Sequence, residues 1–120
     1  MRNLCVLILT LELALSVQSC GNGCSFSSKI KLITSRTWKL ESYVDYSVNR
    51  EFDVIPEIYY FKDDGSFIKV KDGDTICGTW SFGDCDYLKV NTNTFKIAEL
   101  SRKMMVLRYG DLDFMYRSVH

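Results

Sequence analysis

The sequence predicts an all-β fold: an antiparallel up-and-down meander of about eight short strands, closed into a small barrel. Three observations carry this. From Arg36 onward, apolar and polar residues alternate with a period of two. Short Asp-, Asn- and Gly-rich stretches recur between the alternating segments. No segment after residue 35 shows a helical period.

Taken in order, Ile30 to Ser35 reads as a short helical turn leading into the first strand. That strand places Trp38, Leu40, Val44 and Tyr46 on one face, with Lys39, Glu41, Tyr43 and Asp45 on the other. Glu57 to Phe61 is the second, entered just after Pro56, a residue suited to a strand start. Asp63-Asp64-Gly65 turns the chain into Ser66–Lys71, whose inward face is either Phe67, Lys69 and Lys71 or Ile68 and Val70. A one-residue slip exchanges those faces. After Asp72-Gly73, Thr75–Phe82 sets Ile76, Gly78, Trp80 and Phe82 against Cys77, Thr79 and Ser81. Tyr87–Asn91, Phe95–Leu100, Lys103–Tyr109 and Leu112–Arg117 complete the set, the last pair joined by Gly110-Asp111. Eight such strands leave two exposed edges unless the sheet closes. At this strand number the interior is filled by side chains or holds one small ligand.

Residues 1–24 carry a different message. Arg2 precedes an apolar run from Leu4 to Val17, and Ser19-Cys20 ends it. The layout is that of a secretory signal, and the run is shorter than the roughly 20 apolar residues needed to span a bilayer. Val17-Gln18-Ser19-Cys20 resembles a bacterial lipoprotein lipobox, which implies acylation of Cys20 after removal of residues 1–19 and a membrane held through its acyl chains. Ordinary cleavage after Ser19, giving a soluble secreted protein, is the alternative. Residues 20–29, rich in Gly and Ser, read as a flexible tether, and residues 30–120 as the barrel domain. The localisation expected is the bacterial cell envelope, lipid-anchored, or otherwise secreted.

Basic and acidic residues balance at 15 each, so no net field draws the chain to nucleic acid. Cys5 leaves with the signal and Cys20 is the acylation site, so Cys24, Cys77 and Cys85 remain. A Cys77–Cys85 bridge sits awkwardly across a tight hairpin, while Cys24 on the tether can reach either thiol. One disulfide and three unpaired thiols stay open as alternatives. The single histidine is His120 at the terminus, and no nucleophile–base set, HExxH motif or phosphate loop is present. Asp63-Asp64, Asp72-Gly73-Asp74 and the Asp84/Asp86 pair fall in turns, where Asp serves backbone geometry. No enzyme activity, metal or cofactor is expected.

Four segments taken together, Thr37-Trp38-Lys39-Leu40, Tyr60-Phe61-Lys62-Asp63-Asp64-Gly65-Ser66-Phe67, Gly78-Thr79-Trp80-Ser81-Phe82 and Phe95-Lys96-Ile97-Ala98-Glu99-Leu100, resemble the small lipocalin-like domains of Bacteroides-type bacterial lipoproteins. The resemblance covers residues 30–120 and implies a lipocalin-like barrel. It implies that Trp38 plugs the closed end, with Arg117 the positional candidate to stack on it, although strict alternation turns Arg117 away from Leu112, Phe114 and Tyr116. Arg36 stands where lipocalins place a glycine before that tryptophan.

With 7 Tyr, 7 Phe and 2 Trp, the chain is rich in rings. One reading makes them the wall of a cavity for a small apolar or amphipathic ligand, with Tyr60, Trp80, Tyr87, Phe95 and Tyr109 as ligand-binding candidates. Entry is then expected near Asp63–Ser66 or Asp84–Asp86. The alternative is a filled barrel acting as a protein–protein or inhibitory module. A third option is a carbohydrate surface built on outward-facing Tyr43 and Tyr59. A cavity of about 300 Å³ or more lined by Trp80, Tyr87 and Phe95 distinguishes the first from the second.

Overall fold

A computed structural model of the chain describes residues 26–84 and 86–119. Helix α1 (Phe26–Thr34) is followed by β1 (Thr37–Asp45), β2 (Arg50–Phe61), β3 (Ser66–Lys71) and β4 (Asp74–Asp84). Then come β5 (Tyr87–Val90), β6 (Asn93–Leu100), β7 (Met104–Tyr109) and β8 (Leu112–Val119). Each strand pairs antiparallel with the next, and β8 returns to pair with β1, so the sheet is a closed eight-stranded barrel. Closure satisfies the ladder groups that an open sheet would leave on its two edges. Helix α1 begins at Phe26, so part of the segment read as tether is helical. Cys20, with the leader, lies outside the described residues, as do Cys24 and Cys85; Cys77 is exposed and free.

The two ends of the barrel differ. One carries α1, the turns at 62–65 and 101–103, and the β4–β5 connection. Here Ile33 is fully buried and its carbonyl accepts a 3.0 Å hydrogen bond from Trp38 Nε1. Phe61, Phe67, Trp80, Leu88 and Met105 pack around them in one buried cluster. The other end carries the turns at 46–49, 72–73, 91–92 and 110–111 and has no helix across it among the described residues. Asp72 and Gly73 both have positive φ (53° and 84°), the mirror-image turn whose twist suits a two-residue hairpin.

Two sequence expectations are corrected here. The second strand begins at Arg50 instead of Glu57, with Pro56 inside it. The proline is tolerated because the β1–β2 register shifts between Leu40 and Ser42, opposite this stretch, so the ladder makes no regular demand for its missing N–H. The same bulge reverses the expected faces of β1. Trp38 and Leu40 point inward, but beyond the bulge Tyr43 turns in, paired with Phe52 and Phe114, and Val44 turns out. Tyr59, across the strand from inward Trp38, also points in. The carbohydrate surface expected from outward Tyr43 and Tyr59 therefore does not exist.

Two of the turn carboxylates, Asp64 and Asp84, serve the turns themselves. Asp64 Oδ1 accepts from Ser66 N at 2.9 Å, and Asp84 Oδ1 from Asp86 N at 3.1 Å. On the outer face at the helix-free end, Asp113 accepts from Arg108 Nε at 2.8 Å, Arg108 Nη2 at 3.0 Å and Tyr46 Oη at 2.9 Å. This brace joins the 46–49 turn to the β7–β8 hairpin. The Arg108 guanidinium and the Tyr46 hydroxyl hold the Asp113 carboxyl below the usual carboxylate range. A depressed folded-state value stabilises the fold above the unfolded value of about 3.9 and is lost as pH falls through the folded one. Asp113→Asn is therefore expected to flatten the acid limb of a plot of Tm against pH. An acid limb as steep as that of the wild type would contradict this role.

Candidate functional site

The candidate site is the interior of the barrel at the helix-free end. Strand alternation dictates its lining. Phe67, Lys69 and Lys71 of β3 point inward, because Phe67 pairs with inward Phe61 and Lys69 with inward Tyr59. Of the two faces the sequence left open for this strand, the charged one is inside. Across the barrel, four strands round the ring from β3, Leu107 and Tyr109 of β7 point in, flanked by Phe95 of β6 and Phe114 of β8.

The polar wall is built on β2 and β3. Glu57 pairs with Lys71 in register, and Lys71 Nζ lies 3.2 Å from Glu57 Oε2. Tyr59 Oη donates to Glu57 Oε1 at 2.9 Å. Lys69 Nζ stands 3.8 Å from the same oxygen, beyond hydrogen-bond distance, and 5.8 Å from the centre of the Tyr59 ring. The Glu57 and Lys69 side chains are only 14% and 24% exposed, so this ion cluster sits within the barrel wall's shelter, with Lys71 (44%) nearer the rim. Both carboxylate oxygens of Glu57 are thus engaged, while the Lys69 ammonium keeps donor capacity toward the lumen.

Facing it is an aromatic wall. Tyr43 stacks on Phe52 at 5.2 Å and meets Phe114 at 6.0 Å. Phe114 meets Phe95 edge-on at 6.1 Å, and Phe95 lies 5.3 Å from Tyr109. Tyr43, Phe52, Phe95 and Phe114 are half-buried and Tyr109 is 49% exposed. Toward α1 the inward residues Leu40, Phe67, Trp80, Leu88, Met105 and Leu107 are buried. The inward residues are therefore packed in the helix-plugged half and only partly covered in the other.

Beneath the cluster, Tyr59 and Tyr116 meet edge to face at 5.6 Å. Burial pushes both phenols well above their ordinary range; the neighbouring Tyr116 adds to this for Tyr59, and the Glu57 charge adds to it for both. Raised values mean that their contribution to stability is complete below about pH 10 and is lost as pH rises beyond it. In an alkaline titration followed by phenolate absorbance, two of the 7 tyrosines should resist ionisation until the barrel unfolds. A single transition of all of them in folded protein would refute this placement.

Of the five ligand-binding candidates read from the sequence, Phe95 and Tyr109 line this open half. Trp80 faces inward but belongs to the packed half, 5% exposed, its Nε1 donating to Lys62 O at 2.8 Å. Tyr60 and Tyr87 lie on the outer face, 43% and 39% exposed, because their strand neighbours Phe61 and Leu88 take the inward positions. No cavity is therefore shared by Trp80, Tyr87 and Phe95. The expected entry is corrected too: the turns containing Asp63–Ser66 and Asp84–Asp86 lie at the end that α1 plugs. Trp38 fills that end with no exposure, but Arg117 does not stack on it. Arg117 is 67% exposed and pairs with Glu41 at 3.1 Å on the outer surface, as strict alternation requires. Sequence reasoning missed Glu57 and left Lys69 and Lys71, which share the parity of Phe67, as one of two possible inward faces without placing them in a site. Among the described residues, no three of His, Cys, Asp and Glu come together as a metal site, and no helix is long and apolar enough to cross a membrane.

No family model matches the chain, and no curated protein matches it. Solved structures do. A lipocalin-like protein from Bacteroides uniformis superposes with a TM-score of 0.59 at 20% identity, covering 72% of this chain and 99% of its own. An uncharacterized protein from Bacteroides eggerthii superposes with a TM-score of 0.59 at 19% identity, covering 70% and 98%. At this identity the likeness speaks to architecture, and the architecture is a closed eight-stranded antiparallel barrel of the lipocalin-like kind.

Proposed function

We propose that this chain is a non-enzymatic binding protein of the bacterial envelope that holds a small amphipathic ligand in the helix-free half of its barrel. One observation carries the reading: the inward-facing side chains of that half, Tyr43, Phe52, Lys69, Lys71, Phe95, Tyr109 and Phe114, are all half-buried or exposed, whereas their counterparts toward α1 are packed. A concave, mostly apolar lining with a few convergent polar groups is what small-molecule sites share. The carboxylates of Asp64, Asp84, Glu57 and Asp113 are engaged in turns and ion pairs, which supports binding over acid–base chemistry. Anchoring rests on Val17-Gln18-Ser19-Cys20 alone, with Cys20 acylated and the barrel carried on the membrane.

Native mass spectrometry of protein extracted from its own membrane tests both parts. The expected spectrum shows an acyl mass on Cys20 and a retained small molecule. Absence of the acyl mass would remove the anchor. An empty barrel that also fails to take up any amphiphile would replace the container by a protein-interaction module.

A further inference from the structure

Resting on the reading of Cys20 as the anchor, we propose that the helix-plugged end of the barrel faces the membrane, where Lys31, Arg36 and Arg102 hold the phosphate of an anionic phospholipid. The site is an open groove of about 420 Å³ between α1 and the 101–103 turn, lined by Ser28, Lys31, Leu32, Ser35, Arg36 and Arg102. Three of these six are cationic and none is acidic. The ion pairs among the described residues involve none of the three cations. The acidic residues of this end are placed elsewhere. Asp86 and Glu99 line a separate groove with Lys29, and Glu41 pairs with Arg117. Asp64 and Asp84 accept from their own turns, and Asp63 stands on the exposed β2–β3 turn.

Cations beside a helix C-terminus commonly serve its last carbonyls. Those of α1 already have donors. Ile30 O accepts from Thr34 Oγ1 at 2.7 Å, Lys31 O from Ser35 N at 3.0 Å, Leu32 O from Ser35 Oγ at 3.3 Å and Ile33 O from Trp38 Nε1 at 3.0 Å. The three cations are therefore left for a ligand. Among the described residues, Arg36 Nε is the one buried side-chain nitrogen or oxygen without a hydrogen-bond partner. A charged donor in that state is costly, and a bound anion satisfies it. A phosphate suits the planar guanidinium and offers acceptors to more than one cation at once. Arg36 is also the residue that stands where lipocalins place glycine.

The membrane is the source of that phosphate because of where the anchor joins. Six residues separate Cys20 from Phe26, a reach of roughly 20 Å at most. Attraction of Lys and Arg to anionic lipid acts within about a Debye length, ~8 Å at physiological salt, so only the end next to the anchor can use it. The opposite end exposes Asp72, Asp74 and Asp111, which an anionic surface repels. Both effects turn the same way: α1 goes onto the bilayer, and the mouth between the 46–49, 72–73, 91–92 and 110–111 turns faces the aqueous side.

The test takes protein extracted from its own membrane and reconstitutes it into vesicles of phosphatidylcholine, with or without one-third phosphatidylglycerol. Amide hydrogen exchange is the readout. On the anionic vesicles, exchange in α1 and the 101–103 turn is expected to slow at least about fivefold relative to the neutral ones, with the 46–49 and 72–73 turns unchanged. High salt should erase the difference. Arg36→Gln should erase it too, while leaving exchange in the barrel strands as it was, and Arg36→Lys should restore part of it. Equal exchange on the two kinds of vesicle would overturn the proposal, as would slowing at the helix-free turns instead. Inorganic phosphate that slows α1 on neutral vesicles as much as phosphatidylglycerol does would make a free anion the ligand and overturn the membrane assignment. A protein that carries no acyl mass fails the anchor reading alone. Its co-flotation with anionic but not neutral vesicles would still support the groove, and co-flotation with neither would overturn it. The wild-type comparison and its salt dependence decide the matter even where a variant does not fold.

Discussion

Trp38→Ala is expected to lower stability by about 3–5 kcal/mol, the range for emptying a buried tryptophan position. Trp38 has no solvent exposure, and its ring lies within the cluster that includes Ile33, Phe61, Phe67 and Met105. A loss of 1 kcal/mol moves the midpoint of a domain this size by roughly 4–8 °C, so Tm should fall by at least about 12 °C. The substitution also frees the Ile33 carbonyl, which accepts the indole N–H at 3.0 Å in a buried setting. Trp38→Phe isolates that contribution: most of the apolar area stays, and the unpaired carbonyl costs about 1–3 kcal/mol. A second consequence follows from the length of α1. Nine residues are fewer than the roughly 12–15 that sustain a helix unaided in water. The docking of Ile33 and Ile30, with the Trp38 bond, is what holds it. Trypsin cleavage at Lys29 and Lys31 should therefore accelerate in Trp38→Ala under conditions where the barrel itself stays folded. A variant with an unchanged midpoint and unchanged cleavage would show that the plug is not what closes this end.

What the sequence reveals and hides here follows from the range of the interactions. Turn chemistry is local, so Asp63-Asp64-Gly65, Asp72-Gly73 and Gly110-Asp111 mark hairpins that the barrel indeed uses. Period-two alternation is nearly local, so the face of β4 that carries Trp80 and Phe82 reads directly. Bulges defeat it. The extra residue between Leu40 and Ser42 is invisible in composition, yet it inverts every position beyond it, which is why Tyr43 reads as outward and is inward. The open end is non-local altogether: it depends on which set of turns α1 covers, and Trp38 decides that through a bond to a residue that precedes the first strand. Within the candidate site, Phe95 and Tyr109 are found by the ordinary expectation that rings line a cavity. Glu57 is missed, and Lys69 and Lys71 stay open in the sequence, because a one-residue slip exchanges their face with that of Ile68 and Val70. They can face the lumen because Glu57 and the Tyr59 ring lower the cost of bringing them in.

The second large effect concerns Phe67 and Gly78, which pair across β3 and β4. Phe67 is 2% exposed and meets the rings of Phe61 at 6.0 Å and Tyr59 at 5.9 Å. Its ring lies directly over Gly78, where an added Cβ would stand 2.5 Å from Phe67 Cε2 and 2.5 Å from Asn91 Oδ1. Neither neighbour is free to retreat. Phe67 is packed on both sides, and the Asn91 side chain accepts from Thr79 N at 3.1 Å, standing in for a ladder bond where β5 has already ended. Phe67→Ala is thus expected to cost about 3–5 kcal/mol by cavity formation. Gly78→Ala should cost about 1–3 kcal/mol by overpacking, at a position that most small-to-small changes would leave near neutral. The two substitutions share one volume, so they should not add. In the double variant the methyl introduced by Gly78→Ala enters space that the ring has vacated, and the total should fall short of the sum by about 0.5–3 kcal/mol, the size of coupling seen between contacting residues. Urea midpoints of the four proteins supply the cycle. Strict additivity would mean that Phe67 does not rest on Gly78.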